Sequence, residues 1–423
     1  MAGTKGESFP ILSYQPLRIF YQLFGGLFIL LFCLPVWCVQ AAIPACRPHP
    51  KWGFKQALMA RLTRNIVDLY SNVGITETHT LKPGKEGDRF QTAEPFSSEH
   101  YRGPLASNPD VKPTTVGGTW FPEKPDVEKG FGGVMVLQIH GGAFVLGDGR
   151  TGYCGFMANT LIDKAGVDAV FAPQYRLSGY GSAGSAANPF PAALQDVITS
   201  YLYLTQTLGI PSQRIVLCGD SAGGNLVIGL LRYLDTFGRD LGISAPSCAV
   251  LIAPWVNPLA SLGPDSVYKQ HEHWSTDYLP VSFLRWGAKV YSSGVAEETL
   301  PYVTPLGNPW KTQVPVFATM GEAEILETDG TTWCRQMQEA GGNLEVSYEE
   351  HAVHDTLLMG AIIGWEESAQ VVATRIGEFV AKVQKIPAKK SPDFERINKL
   401  KRIMSLSLIK DIYKNFNAPK LTP

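Results

Sequence analysis

The sequence carries almost no net charge and few cysteines. Its 423 residues include 37 lysines and arginines against 38 aspartates and glutamates, which leaves a formal net charge of −1. No basic patch interleaved with aromatic residues occurs in the main body, so we expect no nucleic-acid partner. The seven cysteines are scattered without a C-x-x-C pair, which argues against a disulfide scaffold and a cysteine zinc site. We therefore expect buried or reduced thiols, no metal and no cofactor.

One long uncharged run lies near the N-terminus. Residues 19–43 contain no charged side chain and lie between Arg18 and Arg47. A helix of this length can span about 30 Å of hydrocarbon, so we expect an uncleaved membrane anchor and a membrane partner. A signal peptide is the alternative, since residues 40–42 could form a cleavage region, but the apolar part is long for one. A slight excess of basic residues after the run favours a cytosolic position for the following domain.

Composition divides the chain into five parts. We predict an N-terminal tail (1–18), a transmembrane helix (19–43), a linker and cap region (44–130), an α/β domain (131–384) and a C-terminal tail (385–423). Aromatic residues are frequent at about 255–300, where they predict a cap over an apolar substrate. Basic and apolar residues alternate along the tail, which predicts an amphipathic helix on a membrane surface or docked on the body.

A G-x-S-x-G motif, Gly219-Asp220-Ser221-Ala222-Gly223, is the centre of the chain. The apolar residues 215–218 before it predict a buried strand, and a helix is expected from Ala222 onward. Ser221 then falls on a strand-to-helix turn, where its hydroxyl is held out near the positive end of the helix dipole. Such a motif alone also fits an ordinary glycine-rich turn, so partner residues must decide its role.

A second glycine-rich loop, His140-Gly141-Gly142-Ala143-Phe144, follows the apolar run 132–139, which predicts a buried parallel strand. An oxyanion requires backbone N–H groups aimed at one point, and paired glycines let a loop fold tightly enough to aim them. We predict that this loop supplies the N–H groups of an oxyanion hole.

A G-x-G-x-x-G match at residues 179–184 is not interpreted as a dinucleotide site. Pro189 and Pro191 follow it, where a helix continuing from the glycines would be needed.

A serine nucleophile needs a base within hydrogen-bond reach and an acid that orients the base. The three residues are expected along the chain in the order serine, acid, histidine. Residues 322–329 then supply the acid, and His351 or His354 supplies the base. The H-x-x-H pair formed by these histidines could suggest a metal, but no third ligand is evident. The candidate acids are Glu324, Glu327 and Asp329.

Together these motifs resemble the hormone-sensitive-lipase-like branch of the α/β-hydrolases over residues 130–380. The family patterns H-G-G-G-[FW], Y-R-L, F-P-A-A-x-x-D and G-D-S-A-G-G are matched at 140–144, 175–177, 190–196 and 219–224. The resemblance implies an α/β-hydrolase fold, with a mostly parallel sheet flanked by helices and a cap. It also selects Glu324 as the acid and His354 as the base. Two residues depart from the family pattern: Ala143 replaces a glycine and Glu324 replaces an aspartate.

The resemblance implies a serine esterase that forms an acyl-enzyme on Ser221. It also implies an oxyanion hole formed by Gly141, Gly142, Ala143 and Ala222. With its hydrophobic anchor, the chain is most similar to fungal membrane-anchored steryl acetyl hydrolases. This implies removal of a short acyl group, such as acetyl, from a hydrophobic alcohol such as a sterol or an acetylated secondary metabolite. It also implies a single-pass protein of the endoplasmic reticulum membrane. An acyltransferase and a non-catalytic small-molecule receptor remain alternatives, although the receptors of this family lack the histidine found here at His354.

Overall fold

A mostly parallel β-sheet organises the fold. The structure is a computed structural model that describes residues 9–128, 130–181 and 186–386. The sheet has eight strands in the order β1-β2-β4-β3-β7-β8-β9-β10. They are β1 (Phe90–Ala93), β2 (Val116–Phe121), β3 (Met135–Ile139), β4 (Ala169–Gln174), β7 (Ile215–Asp220), β8 (Cys248–Ile252), β9 (Val316–Gly321) and β10 (Leu344–Glu349). A separate ribbon pairs β5 (Gly179–Tyr180) with β6 (Ala186–Ala187).

The strand pairing confirms the predicted α/β architecture. Strand β2 pairs antiparallel with both β1 and β4, whereas all pairs from β4 through β3 to β10 are parallel. Strands β3, β7, β8 and β9 are buried along their whole length. Continuous apolar strands of this kind form because helices cover both faces of a parallel sheet.

Helices cover the two faces of the sheet, as the side-chain alternation along the strands requires. Val136 and Val216 face one apolar cluster, whereas Leu137 and Leu217 face the other. The longer helices in the described ranges are α1 (Leu17–Ala42), α2 (Phe54–Ser71), α3 (Thr151–Ala165), α4 (Ala192–Leu202), α5 (Ala222–Tyr233), α6 (Val281–Tyr291), α7 (Glu327–Glu339), α8 (Thr356–Ile363) and α9 (Glu366–Gln384).

Helix α1 is long and apolar enough, by length and composition, to cross a membrane. The next helix, α2, packs against α1 on one side and against α6 on the other. Helix α6 lies in the aromatic-rich segment 255–300, together with the short helix Asp265–Lys269. Two segments singled out in the sequence fall wholly or partly outside the described residues, namely the tail from 387 onward and positions 182–185 of the G-x-G-x-x-G match. The predicted domain boundaries stay predictions.

Candidate active site

Ser221 lies on a sharp turn between β7 and α5. Its backbone has φ 52° and ψ −117°, a sparsely populated region for a residue with a side chain. Two backbone bonds hold the turn, because Ser221 N–H donates to the Ile252 carbonyl and Ser221 accepts from Trp255 N–H, both at 2.9 Å. A Cβ added at Gly223 would lie 2.0 Å from the Ile139 carbonyl oxygen. Glycine at this position therefore lets β3 pass directly beneath the turn.

Glu324 and His354 lie on neighbouring loops and face each other. Glu324 Oε2 is 3.2 Å from His354 Nδ1, and both side chains are buried. The loops are also joined directly, because Ala323 N–H donates to the Ala352 carbonyl at 2.9 Å. A carboxylate at Nδ1 fixes the tautomer and leaves Nε2 free to accept a proton.

The alternative acids and base are engaged elsewhere. Glu327 accepts a hydrogen bond from Thr331 at 2.6 Å, and Asp329 accepts one from Asn257 at 3.1 Å. The ring of His351 stacks on His49 at 4.8 Å between centroids. Of the predicted acids and bases, the structure thus brings together Glu324 and His354.

The residues beside Ser221 and His354 connect the two loops. Among the described residues, the ring of His354 makes its hydrogen bond to Glu324 and none to the Ser221 hydroxyl. Hydrogen bonds between a nucleophile and its base often tighten only when substrate is bound. The Asp220 and Asp355 side chains, however, are within hydrogen-bond reach of each other. The histidine loop therefore docks on the turn that carries Ser221.

Asp220 and Asp355 form a buried pair of carboxyl groups. Burial raises the pKa of Asp220 to about 6, and burial together with the Asp220 charge raises the pKa of Asp355 well above its usual value. Two carboxyl groups in contact cannot both ionise without strong repulsion, so the pair shares a proton. Asp355 also caps α8 by accepting from Leu358 N–H at 3.1 Å. Sequence reasoning missed this pair, although Asp220 lies inside the nucleophile motif and Asp355 directly follows His354.

Burial shifts the pKa values of both Glu324 and His354. It raises the pKa of Glu324, and the charges of Asp277 and Glu349 raise it further. Burial lowers the pKa of His354, against the opposing charges of Asp277, Asp220 and Glu349. The low pKa keeps the imidazole neutral near pH 7, which is the form that can accept a proton.

The segment 255–300 supports the loop of Glu324, and the sequence did not indicate this. Asp277 accepts a hydrogen bond from Ile325 N–H at 2.7 Å, next to Glu324. Arg64 of α2 donates to the Asp277 carbonyl at 2.9 Å. Two segments far from Glu324 in the sequence therefore position it.

The predicted oxyanion donors divide into two groups. Gly141 N–H donates to Asp220 Oδ2 at 2.7 Å, so it cannot also point at an oxyanion. This corrects the predicted donor set, in which Gly141 was included. The N–H groups of Gly142 and Ala143 donate to no other described residue, and Ala222 N–H is at the start of α5, where no intrahelical partner exists.

Ala143 occupies a left-handed backbone conformation, with φ 51°. Its side chain fits because α6 has a glycine opposite. A Cβ added at Gly287 would lie 2.8 Å from Ala143 Cβ and 2.2 Å from its carbonyl oxygen. Gly287 thus makes room for the alanine that replaces the family's glycine.

In the described ranges, no group of three or more histidine, cysteine, aspartate or glutamate side chains could hold a metal ion.

Comparisons with known proteins identify the fold family. A family model described as alpha/beta hydrolase fold matches residues 136–358, just over half of the chain. The chain is 28% identical over 269 residues to the ethyl acetate hydrolase of Pseudomonas putida, covering 60% of this chain and 77% of the relative. It is 30% identical over 218 residues to an acetyl-hydrolase of Streptomyces hygroscopicus, covering 52% of this chain and 66% of the relative.

More distant similarities extend the comparison. The chain is 25% identical to steryl acetyl hydrolase 1 of Saccharomyces cerevisiae over 123 residues, which cover 29% of this chain and 27% of the relative. The solved structure of EstE5 soaked with p-nitrophenyl butyrate superposes with a TM-score of 0.53 at 22% identity. The match covers 77% of this chain and 99% of EstE5, and it supports the fold alone. The chain belongs to the alpha/beta hydrolase fold family, as its resemblance to the hormone-sensitive-lipase-like branch predicted.

Proposed function

We propose that the chain is a serine carboxylic ester hydrolase with Ser221 as nucleophile, His354 as base and Glu324 as the acid that orients the base. The observation that carries the proposal is the 3.2 Å contact between buried Glu324 and His354. The two residues lie on loops that dock beside the strained turn of Ser221. Relatives named as esterases and acetyl-hydrolases support the same reaction class.

The proposed reaction has two halves. His354 Nε2 accepts the proton of Ser221 while the serine oxygen attacks the ester carbonyl. The N–H groups of Gly142, Ala143 and Ala222 bind the oxyanion, and Glu324 stabilises the imidazolium. His354 then gives its proton to the departing alcohol. Water repeats the sequence on the acyl-enzyme, which releases the acid and restores Ser221.

The proposed substrate is a short-chain ester, in particular an acetyl ester, of a hydrophobic alcohol. Support for the acyl group comes from the names of the Pseudomonas, Streptomyces and Saccharomyces relatives. Support for a hydrophobic alcohol comes from the apolar helix α1, which attaches the enzyme to a lipid phase where such alcohols dissolve. A sterol or an acetylated secondary metabolite meets both requirements. We propose a membrane location, with the endoplasmic reticulum as the compartment.

The proposal is tested with the full-length chain in detergent and p-nitrophenyl esters of two, four and eight carbons. We expect release of nitrophenol, fastest from the acetate. The Ser221→Ala variant should lose about 10³-fold or more of this turnover if the triad acts as a unit.

Three other outcomes would contradict the proposal. Turnover of Ser221→Ala within tenfold of wild type removes the serine from the reaction. Binding of the ester without release identifies a receptor. Release only in the presence of an added alcohol identifies an acyltransferase.

A further inference from the structure

Helix α1 lies lengthwise on the catalytic domain. Gly25 packs against Leu69 of α2, such that a Cβ added at Gly25 would lie 2.5 Å from Leu69 Cδ1. Further along the helix, Arg61 of α2 donates a hydrogen bond to the Gln40 side chain at 2.6 Å. Helix α2 contacts both the first half and the second half of α1. The two helices therefore pack side by side rather than meeting at one end.

Both ends of α1 are attached to the same folded body. Before the helix, the ring of Phe9 is 5.8 Å from the ring of Tyr180, and Pro10 packs against Gly74. After the helix, Arg47 donates to the Ala41 carbonyl at 2.8 Å and to the Trp52 carbonyl at 2.6 Å.

Trp52 continues this attachment into the catalytic domain. Its side chain is buried, and Trp52 Nε1 donates to the His351 carbonyl at 2.7 Å. A helix that crossed about 30 Å of hydrocarbon would place its ends on opposite sides of the bilayer. In this arrangement both ends contact one domain, which cannot lie on both sides.

Helix α2 adds a second obstacle to a crossing. It carries Arg61, Arg64 and Asp68, and Arg64 and Asp68 reach the segment 255–300 through Asp277 and Ser282. If docked α1 crossed the bilayer, α2 would accompany it into the hydrocarbon, where charged side chains are expensive.

The two faces of α1 differ in exposure and in polar content. The half-buried face carries polar residues towards its two ends (Arg18, Tyr21, Gln22 and Gln40) and small or apolar residues between them. The exposed face is apolar and contains large side chains along its whole length: Phe20, Leu23, Phe24, Leu27, Phe28, Leu31, Phe32, Val36 and Val39. An apolar surface of this length is not left in contact with water by a soluble protein and marks an interaction site.

We propose that α1 lies in the plane of one membrane leaflet, with its apolar face in the lipid acyl chains and its opposite face docked on α2. Lipid fits this face because it is uniformly apolar, unlike the mixed surface of a protein partner. The enzyme is then attached from one side of the membrane without crossing it. A consequence, which rests on the proposed function, is that a membrane-dissolved ester reaches the segment 255–300 from the same leaflet.

The topology is tested by glycosylation mapping of the full-length chain in microsomes. The sequence contains no N-x-[ST] acceptor, so an acceptor tag placed before Met1 or after Pro423 reports its own side alone. We expect both tags to be modified or both to remain unmodified. Modification of one tag alone demonstrates a crossing and overturns the proposal. Cleavage that removes the N-terminal tag identifies a signal sequence and overturns it as well.

Lipid binding is tested separately by flotation of the purified full-length chain with phosphatidylcholine vesicles. We expect wild type to float and a Phe24→Glu/Phe28→Glu variant to stay at the bottom of the gradient, with unchanged activity on a water-soluble ester. The proposal is contradicted if wild type does not float. It is also contradicted if wild type forms a dimer that buries this face and excludes vesicles. Glycosylation and flotation do not require ester hydrolysis, so these two results do not depend on the proposed function. Only the activity control of the variant rests on it.

Docking is tested with a matched pair of glycine variants. Gly25 faces Leu69, whereas a Cβ added at Gly26 meets nothing within 4 Å. We expect Gly25→Leu to accelerate hydrogen exchange along α2 by tenfold or more and Gly26→Leu to leave it unchanged. Equal exchange in the two variants would show that α1 is not held against α2.

Discussion

The N–H group of Gly141 donates a hydrogen bond to the Asp220 carboxyl group at 2.7 Å. This bond fastens the loop that carries Gly142 and Ala143 to the turn that carries Ser221. Asp220 also meets Asp355, the residue after His354. One buried side chain thus connects the loop of Gly142 and Ala143, the turn of Ser221 and the loop of His354. Asp220 can hold these three segments in place, and the proton that it shares with Asp355 partly neutralises its charge.

Replacing Asp220 by asparagine should change how stability depends on pH. The pKa of Asp220 is raised from 3.8 to about 6 in the fold, so the native state binds more protons than the unfolded state between these values. The stability of wild type therefore falls as the pH rises through this window. Because asparagine does not titrate, Asp220→Asn should become more stable relative to wild type, by on the order of 2 kcal/mol, between pH 4 and pH 7. Thermal unfolding of both proteins at the two pH values measures this change.

An Asp220→Asn variant whose stability difference from wild type is the same at pH 4 and at pH 7 would contradict the raised pKa of Asp220.

Substitutions by the matching amide distinguish the three candidate acids. Glu324→Gln removes the carboxylate at His354 Nδ1 and favours the wrong tautomer, so we expect kcat to fall by about 10²- to 10⁴-fold. Glu327→Gln and Asp329→Asn alter carboxyl groups that bond to Thr331 and Asn257, and they should stay within about threefold of wild type. Steady-state hydrolysis of p-nitrophenyl acetate by the three variants decides the assignment, which is wrong if Glu327→Gln or Asp329→Asn shows the largest loss.

The sequence predicted the parts of the site whose signals are local. The apolar strand before Ser221 and the glycines around it are adjacent in the chain, as are Gly142 and Ala143, so their positions followed from spacing. The bond from Gly141 to Asp220 joins residues 79 positions apart. Its direction depends on the parallel register of β3 and β7, and the motif itself does not specify that register.

The support that Asp277 gives to the loop of Glu324 could not be predicted either, and the reason is related. Asp277 lies in a segment with no regular periodicity, and its bond to Ile325 spans 48 positions. The docking of α1 on α2 is a similar case. An uncharged run of residues predicts a helix in lipid, but it does not predict whether the helix lies across the membrane or along its surface.

The pH dependence of hydrolysis should report the environment of His354. Burial lowers the pKa of this imidazole below 6.5, and only the neutral form can act as the proposed base. Activity is lost as the pH falls through the folded-state pKa, so the acid limb of kcat/KM should have its midpoint below 6.5. Because the Asp277 charge raises the pKa of His354, Asp277→Asn should move this limb to lower pH. An acid limb that moves to higher pH in Asp277→Asn contradicts this account of the base, and so does a wild-type midpoint above pH 7.

Replacing Gly287 by alanine should lower kcat, although the substitution changes no proposed catalytic side chain. The added Cβ of Gly287→Ala would lie 2.2 Å from the Ala143 carbonyl oxygen, so the oxyanion loop must shift. Since misplacing one oxyanion donor costs about 10²- to 10³-fold in kcat, we expect a loss of this size with KM little changed. Gly152→Ala is the matched control, because a Cβ there meets nothing within 4 Å, and its kcat should equal that of wild type. Full activity in Gly287→Ala would mean that the N–H groups of Gly142 and Ala143 do not stabilise the transition state.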